Sequence, residues 1–240
     1  METPILIYCA GKNSVFDAIA LEAGFKLGIQ LPNKVDKPIL FADQNWKTPN
    51  RSGYMAMLAE HKPEIATVLD WERRDQLPEV MNWADEISQY VKHIVIIPKV
   101  IGGIERLPRT IGKSDIWLGY SVPTKFGGTP VPAWEFKGWP VHLLGGSPHK
   151  QMMIADYLDV QSADGNMSNR MAQMCRYWRK ERGDKGHWWK LGDWPNNANQ
   201  EAFRRSCHNI VQAWIGRVGN EEKAHGSKVE IGTVQRLQAS

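Results

Sequence analysis

The chain has 240 residues, of which 42% are apolar and 23% charged, with a formal net charge of +4. That length can bury one sizeable core, as one α/β barrel or two small domains. No run approaches the roughly 18 apolar residues of a membrane span, Met1-Glu2-Thr3-Pro4 lacks the basic start of a secretion signal, and three scattered cysteines (Cys9, Cys175, Cys207) argue against a disulfide framework. A cytoplasmic location is expected, in the host if the protein is viral.

In chain order the pattern alternates between strand and helix. Ile5–Ala10 predicts a strand, followed by Gly11-Lys12-Asn13 and a helix to Ala23 capped by Ser14. Pro38–Ala42 predicts a second strand, ending in Asp43-Gln44-Asn45-Trp46, and residues 53–61 a helix. Ile65–Leu69 predicts a third, ending in Asp70-Trp71, and Leu77–Tyr90 a helix with Pro78 in its first turn. His93–Ile97 runs into Pro98-Lys99 and a Gly102-Gly103 turn, and Asp115–Leu118 into Gly119-Tyr120-Ser121. The Pro- and Gly-rich stretch 122–139 predicts a long loop. Val141–Leu144 stops at Gly145-Gly146, after which Ser147 and Pro148 open a helix to Leu158. Asp159–Ala163 is broken at Asp164-Gly165-Asn166, and a further helix starts near Met167.

Seven strands, most of them short and apolar throughout, suit a parallel sheet covered by helices. An eighth is expected near His187–Leu191. The expected fold is a compact α/β protein, a TIM-like (β/α)8 barrel, complete or short of an element. A doubly wound sheet is the alternative, although no GxGxxG follows the first strand. Residues 1–178 are expected to form the barrel and 179–240 a basic, Trp-rich helical segment packed on it, with the last dozen residues as a tail.

Charge is concentrated near the C-terminus. From Arg170 to Arg205 there are nine Lys or Arg against four acids, and with Trp214 the stretch holds five of the eleven tryptophans. Cations interleaved with aromatics suit phosphates and unstacked bases. Arg170, Arg176, Arg179, Lys180, Arg182, Lys185, Trp188 and Trp189 are the candidate contacts. The plainer alternative is a solvated charged face with tryptophans in the core.

Three strands end in Asp: Asp43, Asp70 and Asp164. A lone Asp after a strand is usually a helix cap, but in a barrel all three would face one mouth, where carboxylates in different environments can divide acid, base and nucleophile roles.

These segments resemble the tRNA-guanine transglycosylase superfamily over roughly residues 37–175, closest to the phage and bacterial transglycosylases that insert 7-deazaguanines into DNA. FADQNW (41–46) is similar to the family's acid/base segment, TVLDWE (67–72) to the guanine-reading segment and LGYS (118–121) to the turn that contacts the base. HLLGGSP (142–148) and SADGNMSNR (162–170) resemble a glycine turn and the nucleophile segment. The resemblance implies base exchange, with a 7-deazaguanine such as 7-cyano-7-deazaguanine replacing guanine in DNA. It makes Asp164 the nucleophile, Asp43 the proton shuttle and Asp70 the reader of the guanine edge. It places Lys99, Gly119, Tyr120, Ser121, Gly145 and Gly146 around the base, and Trp46, Trp71 or Tyr120 against a flipped nucleotide. PKVIGG (98–103) departs from the family's VQGG, so Lys99 or a neighbour replaces the family's base-reading Gln. The family's CxCxxC…H zinc set is missing; Cys175, His187, Cys207 and His208 match no standard spacing, with Cys175 expected inside a helix, so no cofactor is expected. The same exchange on tRNA, N-glycosidic hydrolysis, or an inactive nucleic-acid-binding barrel are the alternatives.

Overall fold

The computed structural model describes residues 3–9, 13–30, 36–45, 47–124, 127–181, 186–192 and 196–236, with side chains as far as Arg217. Eight parallel strands close on themselves: β1 (Ile5–Cys9), β2 (Lys26–Gln30), β3 (Phe41–Asp43), β4 (Ile65–Trp71), β5 (His93–Pro98), then β7 (Ser114–Ser121), β8 (Pro140–Leu144) and β9 (Asp159–Asp164). Pairing runs through neighbours in chain order; β5 pairs with β7 and β9 with β1, which closes the barrel. The short β6 (Thr110–Ile111) turns back antiparallel onto β7. The fold is a TIM-like (β/α)8 barrel. Among the described residues no helix is long and apolar enough to cross a membrane.

Helices α1 (Ser14–Glu22), α2 (Arg51–His61), α3 (Leu77–Ile87), α4 (Pro148–Ala155) and α5 (Met167–Ala172) follow β1, β3, β4, β8 and β9. Short 3-10 turns at Ile104–Arg106 and Ala133–Phe136 stand in the connections after β5 and β7. Ser147 caps α4 and Pro148 opens it, as the residue types demand. For α1 the cap is Asn13 rather than Ser14: its side chain accepts from Val15 N at 3.1 Å and Phe16 N at 3.4 Å.

The core has two shells. Ile7, Phe41, Ile65, Val95, Ile97 and Trp117 fill the barrel interior. A larger apolar layer lies between the strands and the helices. Alternation along each strand divides its residues between the two.

The eighth strand is β2, not His187–Leu191. Its sequence, KLGIQ, carries a glycine that breaks the β-branched pattern. A Cβ on Gly28 would lie 2.9 Å from both Ile7 and Phe41, so the strand's least strand-like residue makes room for two interior side chains. The expected strand at 187–191 does form, as β11 (His187–Lys190), but it pairs antiparallel with β10 (Arg176–Arg179) in a separate ribbon. Cys175 therefore sits in a turn with φ of 52° rather than inside a helix.

Helix α6 (Ala198–Arg236) completes the outer layer and is helical where a tail was expected. Phe203 stacks on Phe16 at 4.6 Å and tilts against Tyr8 at 5.2 Å, and Trp214 is fully buried. The boundary expected near residue 178 falls inside β10, and Trp178, Phe203 and Trp214 belong to the same apolar layer as the barrel helices. Through these three residues the C-terminal segment packs on the barrel helices.

Candidate active site

Asp43 ends β3 two residues after Phe41, so alternation alone puts its carboxylate on the barrel's inner side. Asp70 and Asp164 need more. On β4, Thr67 lies opposite Val95 and Asp70 opposite Ile97, so three steps on β4 match two on β5. The extra residue is a β-bulge that re-aims Asp70 to the inner side; without it Asp70 would face out. On β9, Val160 lies opposite Val141 and Ser162 opposite His142, a second bulge, which turns Ser162 and then Asp164 inward. The three carboxylates, with Lys99, line one cleft of about 990 Å3 at the C-terminal end of the barrel. None caps the following helix: the caps of α2, α3 and α5 are Asn50, Gln76 and Asn166.

Asp43 is the most constrained of the three. Thr67 Oγ1 donates to its Oδ1 at 2.9 Å and Gln30 Nε2 to its Oδ2 at 2.7 Å. The Tyr54 hydroxyl, on α2, lies 3.0 Å from the Ala42 carbonyl and 2.8 Å from that of Thr67, which holds the two strand ends together. Burial, and then the negative charge of Asp164, push the Asp43 pKa up to about 7, against the pull of the Thr67 and Gln30 hydrogen bonds. Near neutral pH both its protonated and its ionised forms are therefore accessible.

Asp164 is presented by backbone. Gly145 N donates to its Oδ1 at 2.8 Å and Cys9 Sγ to its Oδ2 at 3.4 Å. Gly145 and Gly146 have φ of 66° and 82°, a turn that other residues adopt with strain, and a Cβ on Gly146 would run into Val122. The buried Gln151 donates to the Gly145 carbonyl at 2.9 Å and to the Asp164 carbonyl, locking the two turns together. Beneath them the fully buried His142 stacks on Phe41 at 4.7 Å, with Nδ1 2.7 Å from Ser162 Oγ; burial holds its pKa below the ordinary value.

Asp70 faces Lys99 Nζ at 3.9 Å. Burial raises its pKa, and the lysine opposes the rise. Together they offer a ligand one acceptor and one cationic donor.

Ser121, Gly145, Gly146 and Arg170 also line the cleft. Three expected contacts do not. Trp71 follows the inward Asp70, points outward by alternation, is fully buried and donates to the Arg73 carbonyl at 2.8 Å. Tyr120 precedes Ser121 and packs edge-on to Phe136 at 5.0 Å in the outer layer. A Cβ on Gly119 would meet Ile97 at 2.6 Å and Leu144 at 2.9 Å, so this glycine serves barrel packing below the mouth. Trp46 lies outside the described residues. Gln30, Gln151 and Cys9 were missed: the first sits on the unread strand, and the other two reach the site only through folding.

The ribbon sorts the basic segment. Trp178 and Trp188 face each other across it, as do Tyr177 and Trp189 on the opposite face. Trp178 is buried and Trp188 half-buried against the core, whereas Trp189 is 43% exposed. Arg176, Arg179 and Lys180 are exposed, and Arg205 lies 5.5 Å over the Tyr177 ring. Arg182 and Lys185 lie outside the described residues. Cys175 and Cys207 belong to separate apolar clusters, and among the described residues no three His, Cys, Asp or Glu group as metal ligands.

A protonated carboxyl beside a backbone-held carboxylate in one cleft can supply a general acid and a nucleophile. No curated protein matches the chain. Residues 20–215, which include all three aspartates, the bulges and the ribbon, match the model of a family of unknown function (DUF6610), and the chain belongs to that family.

Proposed function

We propose that this protein is a base-exchange transglycosylase that replaces guanine in DNA with a 7-deazaguanine through a glycosyl–Asp164 ester. The observation that carries the reading is the pairing in one cleft of Asp43, with a pKa near 7, and Asp164, held by Gly145 N–H. Asp164 attacks C1′ of the target nucleoside while Asp43 protonates the departing guanine. The incoming base reverses the sequence and returns the proton to Asp43. Asp70 accepts from the guanine N1–H and exocyclic amine, and Lys99 donates to an acceptor on the same base. The cleft's volume accommodates a nucleoside taken out of the stack. Trp189, Tyr177 and the exposed arginines of the ribbon contact the polymer.

The test is mass spectrometry of DNA and RNA digested after incubation with labelled guanine or candidate 7-deazaguanines. Label entering DNA supports the proposal, and label entering RNA alone moves the substrate to RNA. Free base without incorporation identifies a hydrolase, and no change in either polymer rejects the enzymatic reading.

A further inference from the structure

The two oxygens of Asp164 are held by unequal donors. Oδ1 accepts from Gly145 N at 2.8 Å, a backbone group fixed by the glycine turn and by Gln151. Among the described residues Oδ2 accepts only a thiol S–H, from Cys9 at 3.4 Å. Cys9 ends β1, two residues after the interior Ile7, so its side chain lies on the inner side of the barrel next to β9. Burial, then the charges of Asp164 and Asp43, hold its thiol pKa well above the usual range, so it stays a donor.

We propose that Oδ2 is the oxygen of Asp164 that bonds to the sugar, and that Cys9 is a positioning residue that holds this oxygen until attack. The inference rests on the base-exchange reading. In an ester the carbonyl oxygen remains a good acceptor and the bridging oxygen becomes a poor one. A rigid N–H belongs on the oxygen that goes on accepting. A weak donor belongs on the oxygen that stops, because little is lost when its hydrogen bond breaks. In the first step the C1′–Oδ2 bond forms and the bond from C1′ to the base nitrogen breaks. Its electron pair goes to the base, which takes the Asp43 proton. In the second step the incoming base's nitrogen bonds to C1′, the C1′–Oδ2 pair returns to the carboxylate and the proton to Asp43. Gly145 N–H stays on Oδ1 throughout.

The test measures single-turnover guanine release from an oligonucleotide, and the fraction of covalent adduct by intact mass, across pH for wild type, Cys9→Ala, Cys9→Val and Cys9→Ser. The Ala and Val variants, which leave Oδ2 unheld, should slow guanine release by about threefold, the loss of one weak hydrogen bond. Cys9→Ser places a stronger donor on the attacking oxygen. It should slow release by roughly tenfold and lower the adduct fraction. A purely structural role would leave Cys9→Ser, the closest to cysteine in size, nearer wild type than Cys9→Ala or Cys9→Val. Wild-type exchange with Cys9→Ser as fast as wild type, or with Cys9→Ala and Cys9→Val slower than Cys9→Ser, overturns the inference and leaves base exchange standing. A wild-type protein that forms no adduct overturns both.

Discussion

The Thr67 hydroxyl donates to Asp43 Oδ1 at 2.9 Å while accepting from the backbone N–H of Gln44 at the same distance. Because its acceptor side is occupied by a backbone donor, its hydrogen is directed at the carboxyl. It stabilises the ionised form of Asp43 and opposes the rise in pKa caused by burial and Asp164.

Thr67→Val should therefore raise the Asp43 pKa further. If Asp43 is the acid that protonates departing guanine, single-turnover release declines as pH rises through about 7 in the wild type, and the decline moves to higher pH in Thr67→Val. An unmoved alkaline limb would separate that limb from Asp43.

The same shift has a stability consequence. A carboxyl whose folded pKa is about 7, against roughly 4 unfolded, favours folding fully only below the unfolded value and loses that contribution as pH rises through 7. Asp43→Asn should melt higher than wild type at pH 8, by up to about 4 kcal/mol in stability, and the gap should close toward pH 4. Calorimetry at both pH values checks the sign, and a variant less stable than wild type at pH 8 contradicts it.

Asp164→Ala should abolish exchange while the melting temperature changes little, since Gln151 still ties the two turns through the Asp164 carbonyl. Retention of more than a few per cent of activity would remove Asp164 as nucleophile. Asp70→Asn should weaken discrimination of guanine from adenine, since a mispaired buried polar group costs about 1–3 kcal/mol. Competition between labelled bases reads this directly, and unchanged selectivity would leave Asp70 as the partner of Lys99 alone.

The ribbon gives opposite expectations for two adjacent tryptophans. Trp189→Ala should weaken oligonucleotide binding, with stacking contributing about 1–3 kcal/mol per base, and leave melting unchanged. Trp188→Ala, on the core side, should lower the melting temperature. Neutralising Arg176, Arg179 and Lys180 together should weaken binding and flatten its salt dependence by about one counterion-release term per phosphate lost. Binding titrations at several salt concentrations decide this, and unchanged affinity in the triple variant would place the polymer elsewhere.

Much of the barrel is written locally. Strands covered on both faces favour continuous apolar runs, and these are visible in most of the barrel strands, though not in β2 (KLGIQ) or β9 (DVQSAD). Gly145-Gly146 followed by Ser147-Pro148 spells a turn and a capped helix without reference to anything distant. Three strands visibly approach an aspartate. Even the outward placing of Trp71 and Tyr120 follows from period two once Asp70 and Ser121 are known to point in.

What the sequence by itself determined was therefore seven of the eight barrel strands in their order and the composition of their ends, because propensity, capping and burial act over a few residues. The tertiary structure decided the rest. Gly28 belongs in a strand only because Ile7 and Phe41 crowd it from both sides. Asp70 and Asp164 face the cleft only because bulges on β4 and β9 change the register, and a bulge is defined by the partner strand rather than by the residues within it. Likewise, Asp43 acquires a pKa near 7 only when burial and the distant Asp164 act on it together, an electrostatic environment that no local segment contains.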